Sequence, residues 1–368
     1  MIELDGNYGE GGGALLRVAM AMSTLTKKPF KIKNIRANRP KPGLKQQHLT
    51  GIKALIEISG AKVSTTEFGA TELEFIPGEV KGGTYTIDIG TAGSITLLLQ
   101  SLILPCMFGP SKVTLEIIGG TCGKWQAGVD YLQNLLLPHL EKFVSKISMS
   151  ILKRGYYPKG GGKIILEISP KLKLKNYTNV NEFLKVLNEK VSKINLTEQG
   201  EIQQIKGIIN LSENLTEMMI GERVVKSTKM MLEDLDVPTN IDIQVAQTHS
   251  SGGELLLWSV HSKKEGIDME NPIRLGGDAL LEKGKSSQEV GKEAVNEVLQ
   301  EIQNKACCDE HLTDQIIPFM ALLNDSKIIT SKISNHSKTN IYVIEQFLDV
   351  KFVIDENKNL VSVKNNLF

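Results

Sequence analysis

The sequence predicts an α/β fold built as α+β layers. Three copies of a helix–strand–helix–hairpin unit form a large domain, and a smaller α/β domain is inserted between the second and third copies. Three observations predict it. A run of helical period followed by a strand-like run occurs three times. Each occurrence continues with a second helical run and two alternating segments around a turn. After Pro170 and the lysine-rich KLKLKN the repeat lapses, and a stretch with its own patterns begins.

In the first copy, residues 14–25 (ALLRVAMAMSTL) carry helical periodicity, which Lys27-Lys28-Pro29 end. The strand-like FKIKNIRA (30–37) follows, then the helical HLTGIKALIEISG and the pair AKVSTTE and ELEFIPG. In the second copy, SITLLLQSLILP (94–105) is the first helix. A Gly-Pro break at 109–110 separates it from the strand KVTLEIIGG (112–120). GVDYLQNLLLPHLEKFV is the second helix, and SKISMSILK with GKIILEIS form the hairpin. The third copy reads HLTDQIIPFMALL (311–323), a break at Asn324-Asp325, KIITSKIS (327–334), NIYVIEQFLDV, and the pair VKFVIDE and NLVSVKN. The large domain is therefore expected to span 1–177 plus 306–368, and the inserted domain 178–305. The inserted region has two helical stretches, VNEFLKVLNEKVSKI and SSQEVGKEAVNEVLQEIQN. It also has an alternating strand, NIDIQVAQ (240–247), and an apolar run, GELLLWSV (253–260).

At 368 residues and 41% hydrophobic content the chain can bury a real core. No window approaches the roughly 18 apolar residues of a membrane helix, and Met1–Asp5 has no signal-peptide pattern, so a cytoplasmic protein with no membrane partner is expected. Cys106, Cys122, Cys307 and Cys308 form no C-x-x-C pair and read as ordinary thiols. Net charge is only +1. Yet no acid lies between Glu10 and Glu57, while Arg17, Arg36, Arg39 and a series of lysines do. Such a one-sided field favours a polyanionic partner, although a solvated basic face has the same composition.

The repeat also has a chemical consequence. The segments after the first strand of each unit, Arg36–Thr50, Gly119–Asp130 and Asn335–Asn340, should occupy equivalent places and could build one site. Several strings in the chain suit phosphate chemistry. Gly9-Glu10-Gly11-Gly12-Gly13 precedes a helix, so its backbone can approach an anion at the helix N-terminus. Glu10 adds a hard oxygen for magnesium or manganese. Between Ile35 and His48, Arg36 and Arg39 can each fork onto phosphate oxygens. Gly90–Ser94 is a second glycine turn opening a helix, with Gln100 farther along it. His311-Leu312-Thr313-Asp314-Gln315 opens the third helix with groups suited to a base and ribose. His336, in Ser334–Asn340, can be a nucleophile toward phosphorus when its ring is neutral.

These strings, together with Leu4-Asp5-Gly6, Gly119-Gly120-Thr121 and Gly155-Tyr156-Tyr157-Pro158-Lys159-Gly160-Gly161-Gly162, resemble the RNA 3′-terminal phosphate cyclase family in order and spacing over nearly the whole chain. The resemblance implies a large domain of three repeats with a smaller inserted domain. It implies an ATP-dependent, ligase-type enzyme whose partner is RNA with a 3′-phosphate end. His336 would take AMP from ATP and pass it to the RNA 3′-phosphate, and the vicinal 2′-hydroxyl would then close a 2′,3′-cyclic phosphate. By similarity, Gln100, His311, Leu312, Thr313, Asp314 and Gln315 would bind the nucleotide. Arg17, Arg36, Arg39, Gln47 and His48 would attend the phosphates and RNA, and Glu10 a divalent metal. A homo-oligomer is compatible with the sequence, which does not fix the assembly.

Two departures bear on the nucleotide pocket. Ala14 stands where the family usually has Gln. Cys122-Gly123-Lys124-Trp125-Gln126-Ala127-Gly128 replaces an acidic, proline-rich run that packs on the adenine, with Trp125 as a replacement stacking face. The alternative reading is a non-catalytic relative acting in ribosome assembly. The altered run speaks for it, and His336, which such relatives lack, speaks against it.

Overall fold

The computed structural model describes residues 1–263 and 266–367. The first unit comprises β1 (Ile2–Asp5), α1 (Ala14–Thr26), β2 (Phe30–Lys33), α2 (Gln46–Ser59), β3 (Lys62–Val63) and β4 (Leu73–Ile76). The second comprises β5 (Gly83–Asp88), α3 (Ile95–Met107), β6 (Val113–Gly119), α4 (Val129–Tyr131), α5 (Leu137–Leu140), β7 (Val144–Lys153) and β8 (Gly162–Pro170), with a π-helical bulge at Leu132–Leu136 between α4 and α5. Next come α6 (Val180–Lys190) and β9 (Asn195–Leu196). The inserted segment follows: β10 (Glu201–Ser212), α7 (Ile220–Leu232), β11 (Thr239–Ala246), β12 (Gly253–Ser262), β13 (Ile273–Leu280) and α8 (Ser287–Gln303). The chain closes with α9 (Glu310–Met320), β14 (Lys327–Ile329), α10 (Asn335–Phe347), β15 (Val350–Asp355) and β16 (Leu360–Asn365).

Three of the sheets share one plan. Their orders are β1-β2-β4-β3, β5-β6-β8-β7 and β9-β14-β16-β15. In each, the first two strands are parallel and the rest antiparallel. Every unit thus has a leading strand in front of the helix–strand–helix–hairpin pattern. These leading strands escape a periodicity reading because β1 has four residues and β9 only two, too few to show alternation.

The pairing of β9 with β14 changes where the insertion begins. Residues 180–196, expected inside the inserted domain, pack with the third unit instead: Phe183, Leu184 and Leu187 of α6 and Leu196 of β9 lie in the larger core. The physical reason is the amphipathic face of α6, which has no partner in the inserted sheet. That sheet, β11-β10-β12-β13, is backed by α7 and α8 around a second core. The run GELLLWSV is apolar throughout because both faces of β12 are buried. Leu255 and Leu257 face α7 and α8, while Leu256, Trp258 and Val260 join the larger core.

In the large core α1 is buried along almost its whole length, packed between α3 and α10. Two strands end earlier than their apolar pattern suggested. β2 stops at Lys33 because Asn34 and Arg36 adopt left-handed backbone conformations, which turn the chain. β14 stops at Ile329, and α10 begins already at Asn335. Among the described residues no helix is long and apolar enough to cross a membrane.

Candidate active site

The N-terminal ends of five helices meet at one place. Ser334 caps α10, accepting from the Ser337 N–H at 2.9 Å, so His336 stands on the first helical turn rather than in a loop. Its Nε2 lies 2.7 Å from Glu10 Oε2, and Glu10 Oε1 accepts from Arg39 at 2.9 Å. The hydrogen bond to Glu10 raises the pKa of His336, and Asp314 adds to this against burial and Arg17. Burial pushes the Glu10 carboxyl up, but His336 and Arg39 outweigh it and hold its pKa below the usual range.

Arg17, from the first turn of α1, donates through Nε to Gln100 Oε1 at 2.8 Å, fixing α1 to α3. Burial lowers its pKa to about 10, which still leaves it cationic at neutral pH. His48 is buried in the first turn of α2. Burial, with Arg17 and other cations nearby, pushes its pKa down to about 3. The ring is therefore neutral. Its Nδ1 accepts the Lys45 N–H at 3.1 Å, so its proton belongs on Nε2, which faces the Gly13 backbone. A Cβ at Gly13 would lie 2.3 Å from that nitrogen, so the close approach requires glycine.

Gln47 clips α2 to the Gly90–Ser94 turn. Its amide donates to Ser94 O at 2.7 Å and accepts from Ser94 N at 3.1 Å. On α9, Asp314 Oδ1 accepts from Ser334 Oγ at 2.6 Å and Ser337 Oγ at 2.5 Å. Burial pushes its carboxyl above the usual range in spite of these bonds. Gln100, Asp314 and Gln315 border a narrow, mostly apolar cleft between α1, α3, α9 and α10, whose lining includes Val18, Leu99, Ile103 and Phe319.

The structure therefore brings together Glu10, Arg17, Arg39, Gln47, His48, Gln100, Asp314, Gln315 and His336. It does not offer the side chains of Leu312 and Thr313 to a ligand. Both are fully buried, and Thr313 Oγ1 is spent on Asp309 O and Thr330 Oγ1 at 2.8 Å each. On α9, positions 312 and 313 face the core while 314 and 315 line the cleft, as helical spacing demands. Arg36 is partly engaged within its own loop. Its NH1 donates to the carbonyls of Lys41, at 2.7 Å, and Gly43, at 3.2 Å, so that nitrogen holds the loop's shape. His311 is exposed and meets Tyr131 edge-on, with ring centroids 6.0 Å apart. Desolvation opposes its charge, but Asp309, Asp278, Glu297 and Asp314 raise its pKa.

Two further residues were not legible as site residues. Ser334 and Ser337 pin the His336 turn to Asp314; the S-x-x-S spacing around a helix start was the available signal. Trp125 is 96% exposed at the tip of the turn bridged by Gly123 and Gln126, so in the free protein its ring stacks on nothing. Among the described residues no cluster of three His, Cys, Asp or Glu side chains is arranged to hold a metal. Glu10 offers a hard oxygen beside His336, and both of its oxygens are engaged. It fits a divalent ion only in company with phosphate oxygens.

Comparison with known proteins bears on this cluster. The family model described as RNA 3′-terminal phosphate cyclase matches residues 8–354. A protein of Methanosarcina mazei named RNA 3′-terminal phosphate cyclase is 40% identical over 364 residues, 99% of each chain. The Pyrococcus furiosus protein of that name is 41% identical over 355 residues, covering 96% of this chain and 95% of its own. That of Archaeoglobus fulgidus is 38% identical over 362 residues, covering 98% of this chain and 100% of its own.

Proposed function

Since the chain belongs to the RNA 3′-terminal phosphate cyclase family, we propose that it converts an RNA 3′-terminal phosphate into a 2′,3′-cyclic phosphate at the expense of ATP, through a histidine–AMP intermediate on His336. The observation that carries this reading is the pair His336 Nε2–Glu10 Oε2 at 2.7 Å, flanked by Arg39 and the half-buried Arg17.

In the first step the His336 ring, neutral once its Nε2 proton has been lost to solvent and held in place by Glu10, attacks the α-phosphorus of ATP with its Nε2 lone pair. A P–N bond forms, the bond to the β-phosphate oxygen breaks, and pyrophosphate leaves. In the second, an oxygen of the RNA 3′-phosphate attacks the AMP phosphorus and the P–N bond breaks, returning the imidazole. In the third, the 2′-hydroxyl oxygen attacks the 3′-phosphorus, AMP leaves, and the hydroxyl proton passes to the regenerated His336. Each step crowds negative charge at one spot. Arg17, Arg39 and the N–H of neutral His48 Nε2 are aimed there in advance, which is how a preorganised site lowers such barriers. A divalent ion, held by Glu10 with the nucleotide's phosphates, would neutralise further phosphate charge. Gln100, Asp314 and Gln315 suit the nucleoside, at the polar edge of the cleft.

The test is covalent labelling. Wild type and His336→Ala are incubated with α-labelled ATP and magnesium or manganese, then with 3′-phosphorylated RNA. Acid-labile label on wild type alone, chased into RNA and released as AMP with a cyclic end, is the expected result. An unlabelled, folded wild type with both metals would overturn the mechanism.

A further inference from the structure

One surface next to this site is not used by the chemistry above. The parallel strands β5 and β6 end side by side, and β8 begins against the end of β6, with Gly119 opposite Gly162. Topology therefore gathers the Gly90–Ser94 turn, the loop 120–128 and the β7–β8 turn 154–161 at one end of one sheet. The gathering is tight. A Cβ at Gly160 would lie 2.7 Å from Thr91 O, and Thr121 N donates to Gly155 O at 2.9 Å. Gln47 ties the same edge to the active site through Ser94.

Tyr157 stands on this edge 80% exposed, while its neighbour Tyr156 is buried and donates to Asn210 Oδ1 at 2.8 Å. The turn is braced from both sides: Gly160 N donates to Tyr156 O at 2.8 Å, and Lys159 N to Ser250 Oγ at 3.1 Å. A rigid turn thus holds an aromatic ring out in water. Beside it, Lys153 Nζ lies 3.1 Å from His249 Nε2, and His249 packs against Gly161. Lys153 and Lys159 are exposed, and neither has a carboxylate within ion-pair distance among the described residues. A fixed, exposed ring flanked by unpaired cations is the combination that binds single-stranded nucleic acid, by stacking and phosphate attraction without reading sequence.

We propose that this edge is the binding track for the RNA nucleotides upstream of the reacting 3′ end, with Tyr157 stacking on a base and Lys153 and Lys159 pairing with phosphates. The proposal rests on the cyclase reading. It makes Tyr157 a positioning residue that sets RNA affinity and leaves the transfer of AMP to His336 untouched. It also makes a minimal 3′-phosphorylated dinucleotide a poorer substrate than a longer strand.

The experiment compares wild type, Tyr157→Ala, Tyr157→Phe and the double variant Lys153→Ala/Lys159→Ala. Three quantities are measured: ATP-dependent self-labelling without RNA, KM and kcat for 3′-phosphorylated RNA of two and of ten nucleotides, and the salt dependence of KM. Tyr157→Ala should raise KM for the longer RNA about 5- to 150-fold, with kcat held and self-labelling intact. Tyr157→Phe should behave as wild type. The lysine variant should raise KM and flatten its salt dependence. Unchanged KM in Tyr157→Ala, with normal labelling, overturns the track. Loss of labelling in the variants also counts against it, because the turn would then be serving the nucleotide site. Failure of the wild type to label or cyclise is a different result, and defeats the underlying reading.

Discussion

Ser337→Ala tests how His336 is held. The Ser337 hydroxyl is fully buried and donates to Asp314 Oδ1 at 2.5 Å, its neighbour Ser334 Oγ making the parallel bond at 2.6 Å. Removing it costs one hydrogen bond to a buried carboxyl, about 1.5–3 kcal/mol. Asp314 then keeps a single hydroxyl donor on that oxygen, and burial pushes its pKa higher still. The backbone cap by Ser334 survives, so α10 should not unravel. What loosens is the register of its first turn against α9, which carries His336. A misplacement of about 1 Å can cost a reacting group up to ~100-fold in rate. Urea unfolding should show the stability loss, and single-turnover transfer of AMP at saturating ATP should be slower by about tenfold or more. A stable, fully active Ser337→Ala would refute the claim that Asp314 and α10 are coupled through this hydroxyl.

Two other perturbations read the site directly. The raised pKa of His336 means that self-adenylylation, which needs a neutral ring, climbs with pH through that raised value. Glu10→Gln should lower the rate and move the climb to lower pH, and a pH–rate profile with an unmoved limb would contradict the pairing. The linked stability has the opposite sense: the Glu10–His336 pair contributes fully below the unfolded histidine value of about 6.5 and is lost as pH rises past the folded one. Trp125 is 96% exposed and Trp258 only 5%, so acrylamide should quench one of two tryptophans freely, and Trp125→Phe should leave only the protected fraction. If ATP shields Trp125 from acrylamide, the turn closes over the nucleotide; if quenching is unchanged, Trp125 does not replace the family's adenine-packing run.

How far the sequence carried can be argued from particular residues. The helices α1 and α3 are readable as long apolar runs because they are buried almost all round, and α9 because it buries one face and so carries a polar–apolar period. The start of α10 carries no helical period because Asn335–Asn340 is polar, and its helical character comes from the Ser334 cap and the bonds to Asp314 rather than from propensity. The strand β10 and the helix α7 were missed although both are long, since Glu201–Ser212 mixes both faces and Met219 enters α7 in a left-handed conformation with no capping side chain. In the site, single residues that bond across units were legible only as strings. That Gln47 bridges to Ser94 over 47 positions, and Arg17 to Gln100 over 83, follows from tertiary packing that no local pattern encodes. Leu312 and Thr313 were expected to touch a ligand because the string was read as a block. Helical geometry splits it, turning two of five side chains into the core.

The meeting of helix N-termini explains why this architecture suits a polyanion. The first turns of α1, α2, α3 and α10 contain no acid, although an acid there would ordinarily stabilise a helix by about 0.3–1 kcal/mol. The exception among the five is α9, whose Glu310 is paired with Lys332. Four helices thus place no acid of their own against their partial positive charge, which gathers close to Arg17 and Arg39 with Glu10 as the facing carboxylate. Stability has been forgone where phosphates would arrive. Gln46, exposed on the first turn of α2, allows the trade to be measured without touching a group placed in the chemistry. Gln46→Glu should raise stability by about 0.3–1 kcal/mol at low salt and weaken ATP and RNA binding together, with both effects fading as salt screens them. A variant that gains stability while binding ATP and RNA as before would show that these helix ends act on the fold alone, and the electrostatic account of the site would have to rest on its arginines.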